Sequence, residues 1–154
     1  MRGWCCVVGL AACGPTTSSI DEGTSCGDAA PVMESIQITD AGMRSFGGVD
    51  RPTVQVSGLV TDADGDLHIH TVKVWYDDRE DGELSEEPEL VQRFDLSDSV
   101  CGVESATLGI LLPVGGSDVP PGTDVEFGLV IVDAAGHATN GGEPVFGLGR
   151  TPEE

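Results

Sequence analysis

The sequence predicts an all-β domain, a sandwich of seven short strands, and three observations carry that prediction. Apolar residues alternate with polar ones in several runs, among them Val54, Val56, Gly58, Val60 and Val125, Phe127, Leu129, Ile131. Turn formers separate the runs, with 22 Gly and 9 Pro in 154 residues. No stretch of ten residues has the 3.6-residue period of an amphipathic helix. The length suits one domain behind a leader, and 39% hydrophobic content supplies its core.

The strands follow in order. Ile36 and Ile38 alternate with polar neighbours and mark the first. The Gly- and Asp-containing stretch Asp40 to Pro52 reads as a loop, and Val54 to Val60 as the second strand. Asp62-Ala63-Asp64-Gly65-Asp66 is a tight turn. The third strand runs from about His68 to Asp77 with Val72, Val74 and Tyr76 on one face and Trp75 on the other. The acidic stretch Asp77 to Glu89 is an exposed loop, and Leu90 to Leu96 a short fourth strand. Ala106, Leu108, Ile110 and Leu112 make the fifth, Val125 to Ile131 the sixth and Val145 to Leu148 the seventh. Aromatic residues are only 5% of the chain, so Val, Leu and Ile dominate the expected core, helped by Phe46, Phe94, Phe127, Phe146 and Trp75.

Charge limits the partners. Seven Lys and Arg stand against 27 Asp and Glu, a net charge of −20. Such a surface repels nucleic acid and anionic lipid, favours solubility and attracts divalent cations.

The N-terminus carries a second pattern. Met1-Arg2-Gly3 is short and positive, and Trp4 to Leu10 is an apolar run too short to span a bilayer. Leu10-Ala11-Ala12-Cys13 follows. An aliphatic residue, two small residues and a cysteine at this distance from the start resemble the lipobox of bacterial lipoproteins. The resemblance implies cleavage before Cys13, transfer of a diacylglyceryl group to its thiolate, and a membrane anchor of several acyl chains, palmitate among them. The expected organisation is a signal peptide over 1–12, a lipid-anchored flexible tether over 13–30, the sandwich over 31–150 and a tail over 151–154. Gly14 is compatible with the outer membrane, so the expected location is the cell envelope, on that membrane.

Five cysteines are present. Cys5 and Cys6 fall in the leader and Cys13 is the lipid site, which leaves Cys26 and Cys101. An even pair in an exported protein reads as a disulfide, the alternative being two free thiols.

The run Val56 to Asp66 resembles the second strand and following turn of bacterial immunoglobulin-like and fibronectin-III-like domains. Leu129-Val130-Ile131-Val132-Asp133-Ala134-Ala135-Gly136-His137 is similar to their sixth strand and turn, with His137 where Asn is usual. The resemblance spans roughly residues 31–150 and implies a fold, not an activity. The antibody-type pair of cysteines around a Trp is absent. In such sandwiches the chain start and the turns after the second, fourth and sixth strands share one pole, which brings Cys26 and Cys101 together.

The same pole gathers Asp62, Asp64, Asp66 and Asp133. Crowded carboxylates need backbone amides or a hard cation such as calcium. An EF-hand is excluded, because its sixth and twelfth positions would be Leu67 and Lys73. A calcium site of another kind would use Asp62, Asp64 and Asp66, with Asp133 as the distal ligand; the plainer alternative is aspartates that cap turn amides. His68, His70 and His137 offer a second set, suited to zinc or copper, or else are ordinary surface histidines. Nucleophile elbow, zinc-protease, phosphate-loop and dinucleotide motifs are all missing from the sequence. The expectation is a non-enzymatic, lipid-anchored immunoglobulin-like module that binds an envelope protein or polysaccharide, with Trp75 as a contact anchor if exposed. The competing expectation is a calcium-binding or calcium-stabilised surface domain.

Overall fold

The computed structural model describes residues 26–77, 84–96, 100–116 and 119–154. The expected leader, Cys13 and most of the tether lie outside the described residues, as does part of the acidic loop.

Seven strands form a β-sandwich: β1 (Val32–Phe46), β2 (Val49–Thr61), β3 (Ile69–Tyr76), β4 (Leu90–Asp95), β5 (Ser105–Pro113), β6 (Asp124–Val132) and β7 (Val145–Arg150). One antiparallel sheet has the order β1-β2-β5, the other β4-β3-β6-β7. The fourth strand pairs with β3, from Val74 opposite Leu90 to Ile69 opposite Asp95, and so joins the larger sheet.

Period-2 alternation fixes which face each strand buries. Val54, Val56 and Val60 of β2 and Leu108, Ile110 and Leu112 of β5 meet Val72, Val74, Val125, Phe127, Leu129 and Ile131 from the other sheet. Gly58 interrupts the row on β2 because Met33 of β1 lies across it; a Cβ there would stand 2.4 Å from the Met33 sulfur. Tyr76 and Phe127 form a tilted pair with centroids 6.3 Å apart.

Two expectations are corrected. The loop expected over Asp40 to Pro52 is a two-stranded ribbon, paired from Asp40 opposite Val54 to Phe46 opposite Val49. Gly47 and Gly48 close it in two residues with φ of 61° and 87°, as a tight hairpin of the primed type requires. The ribbon stands away from the core, so neither face alternates and its sequence reads as loop. Phe46 and Phe146 are not core residues: Phe46 is half-buried at the ribbon tip and Phe146 is 53% exposed. Trp75 does face away from Val72 and Val74, but it is only 9% exposed, opposite Gly128 of β6, and so offers no anchor.

The tail is held at its start. Thr151 is buried, its hydroxyl donates to the Pro120 carbonyl at 2.6 Å, and its amide to the Thr123 carbonyl at 2.9 Å.

Candidate functional site: an acidic pole

The connections β2–β3, β4–β5 and β6–β7 meet the N-terminal segment at one end of the sandwich. Cys26 and Cys101 are disulfide-bonded there, with Cα atoms 5.5 Å apart. The turn Asp62 to Asp66 sits between them. The Asp64 amide donates to Asp62 Oδ1 at 3.0 Å and the Gly65 amide to the Asp62 carbonyl at 3.2 Å, which folds the turn on itself. Gly65 takes φ +78°, and a Cβ on it would lie 2.6 Å from the Cys101 carbonyl oxygen, so no other residue fits.

Asp133 shapes the opposing loop. Its Oδ1 accepts the Ala135 amide at 2.9 Å and the His137 amide at 2.8 Å. The Ala134 amide reaches the Asp66 carbonyl at 3.1 Å and ties this loop to the acidic turn.

One carboxylate oxygen from each of Asp62, Asp66 and Asp133 lies within 4.8 Å of the other two. All three residues are buried. In each, Oδ1 accepts a backbone amide, from Asp64, from Cys26 and from the Asp133 loop respectively. In each, Oδ2 is buried and makes no hydrogen bond. Burial above all, with the nearby charges of Asp62 and Asp64, raises the Asp66 carboxyl above the ordinary 3.8, although the Cys26 amide opposes the rise. Asp133 is also raised, by burial first and by Asp62 and Asp66 after it, against the pull of His137.

Turn formation alone accounts for the Oδ1 atoms. It leaves the three Oδ2 atoms buried without a hydrogen bond beside like charges, that of Asp133 with the His137 ring at 3.5 Å, an arrangement that normally costs several kcal/mol per ion. Oxygens about 2.4 Å from one calcium ion are at most about 4.8 Å apart, so the spacing suits a shared hard cation.

Asp64, expected as a ligand, is placed elsewhere. Its Oδ2 accepts the Ala29 amide at 2.5 Å, which binds the N-terminal segment. The three histidines are not brought together as a ligand set. His70 donates from Nδ1 to the Leu67 carbonyl at 3.1 Å and stacks on Phe94, and burial lowers its imidazole below the ordinary 6.5. His137 Nδ1 lies 3.5 Å from Asp133 Oδ2, an ion pair when the ring is protonated. His68 is buried with neither ring nitrogen hydrogen-bonded, and shares a 4.8 Å group with Asp66 and the Cys26 sulfur. The sequence carried no signal for the Cys26 and Ala29 amides as partners of the aspartates, because backbone groups have no sequence identity.

No protein-family model matches this chain, and neither does any characterised protein.

Proposed function

We propose that this protein is a lipid-anchored, non-enzymatic module of the bacterial envelope, immunoglobulin-like in fold, whose sandwich is locked at one pole by a bound calcium ion. The buried Oδ2 atoms of Asp62, Asp66 and Asp133, none of them hydrogen-bonded, and the grouping of the three carboxylates within 4.8 Å carry the cation reading. Asp62 closes β2 of the smaller sheet, whereas Asp66 leads into β3 and Asp133 leaves β6 of the larger one. An ion held by all three cross-links the two sheets at the pole where the Cys26–Cys101 disulfide and the Ala134–Asp66 backbone hydrogen bond also lie. Backbone carbonyls and water complete a shell of six to eight oxygens. Calcium is preferred to a softer metal because the donors are carboxylates. The lipobox resemblance at Cys13 supports the anchor.

Two experiments test the reading. Calorimetric titration and thermal unfolding with calcium or chelator are expected to show binding and, at 100 times Kd, about 2.7 kcal/mol of stabilisation. Asp66→Asn abolishes both. Unchanged melting at millimolar calcium would remove the cation from the proposal. For the anchor, metabolic labelling with a fatty-acid probe is expected to mark the wild type and not Cys13→Ser; equal labelling of the two rejects Cys13 as the lipid site.

A further inference from the structure

We propose that the Cys26–Cys101 disulfide sets the affinity of the acidic pole for its cation, so that reduction releases the ion. This rests on the calcium reading above and concerns how that site is regulated.

Both cysteines lie against the acidic turn. The Cys26 amide donates to Asp66 Oδ1 at 2.8 Å, which aims the other oxygen of Asp66 at the cluster. The Ala29 amide holds Asp64 in the same way. Gly27 passes so close that a Cβ would stand 2.3 Å from the Asp64 carboxyl carbon. Gly65 is seated against the Cys101 carbonyl, the Val103 amide donates to the Gly65 carbonyl at 3.3 Å, and Asp66 bridges Val103. Cys101 itself holds a left-handed conformation, φ 60°, one that L-residues other than Asn, Asp and Gly seldom adopt.

Residues 26–29, whose amides orient Asp66 and Asp64, are tied to the turn by the disulfide and by hydrogen bonds. Without the disulfide those hydrogen bonds compete with the conformational entropy that the released segment regains. The chemistry is a two-electron exchange with a dithiol reductant. The S–S bond breaks, each cysteine sulfur takes up one proton, and the reductant closes its own disulfide. The freed Cys26 thiol then lies beside Asp66 and the unpartnered nitrogens of His68. Unlike a disulfide sulfur it can donate a hydrogen bond to either, which draws Asp66 away from the ion. Linkage makes the effect reciprocal, so bound calcium protects the disulfide from reduction by the same factor.

The test is a calcium titration of the full chain, oxidised and then reduced by a dithiol, with circular dichroism to confirm that the reduced protein stays folded. The expected result is at least tenfold weaker binding after reduction. Equal affinity in both states overturns the redox gate and leaves the calcium site standing. No binding by the oxidised protein overturns the site, and the gate with it. If reduction unfolds the chain, hydrogen exchange of the oxidised protein decides. A core amide such as Leu129, which exchanges by global unfolding, slows by the full binding factor; calcium must slow the Cys26 amide comparably, and a Cys26 rate unchanged by calcium overturns the coupling.

Discussion

Asp133 shows how one side chain serves two tasks with its two oxygens. Oδ1 holds the amides of Ala135 and His137, and Oδ2 is buried without a hydrogen bond, 3.5 Å from His137 Nδ1. Asp133→Asn keeps the first task and removes a buried charge from the second. In calcium-free buffer this variant is expected to be more stable than the parent by about 1 kcal/mol. In saturating calcium the order reverses, because a ligand is lost; scanning calorimetry in both buffers reads the change of sign. The pH response has the same origin. Carboxyls raised above their unfolded value stabilise the fold only while protonated. Their contribution is complete below 3.8 and is lost as pH rises through the elevated folded values. Relative to Asp66→Asn, the calcium-free protein is therefore expected to gain stability as pH falls from neutral toward 4. With calcium bound the ionised form is favoured and the trend inverts. Urea unfolding across this range distinguishes the two.

At the scale of elements, glycines decide where backbones meet. β1 and β7 are not hydrogen-bonded, yet Ile36 and Ile38 of β1 lie over Gly147 and Gly149 of β7. A Cβ at Gly149 would stand 2.3 Å from the Ile38 methyl carbon. Gly149→Val is expected to destabilise the domain by about 1–3 kcal/mol through overpacking, measured by denaturant midpoint. The ribbon is a contrasting case. Gly48→Ala strains a φ of 87° and should cost about 1–2 kcal/mol of stability. It should leave calcium binding unchanged, because the ribbon is at the far end of β2 from Asp62. Gly48 occurs in a segment whose role the sequence concealed. Alternation announces a strand only when one face is buried, and the ribbon buries neither.

For the whole molecule, the disulfide and the cation act at the same pole by different means. The disulfide spans a sequence separation of 75 residues. Closing a loop of that size restricts the unfolded chain, and its removal in calcium-free buffer is expected to lower stability by about 4 kcal/mol. The ion acts instead on the folded state, as an added cross-link between the sheets at the acidic pole.

The sequence by itself determined the strands that line the core, the turns between them, the pairing of Cys26 with Cys101 and the gathering of Asp62, Asp66 and Asp133 at one end. The strands and turns rest on local periodicity and turn chemistry, which neighbouring residues define, whereas the cysteine pairing rests on the even pair left after the leader and lipid site, and the gathering on the resemblance to immunoglobulin-like sandwiches. Only the tertiary structure decided that the fourth strand joins β3, that Trp75 is covered, and that Asp64 turns to Ala29 instead of the cluster. It also decided that each cluster aspartate has one satisfied oxygen and one without a partner. Those outcomes depend on which backbone amides arrive from distant segments, and an amide at Cys26 or Ala29 looks like any other until the fold brings it to a carboxylate.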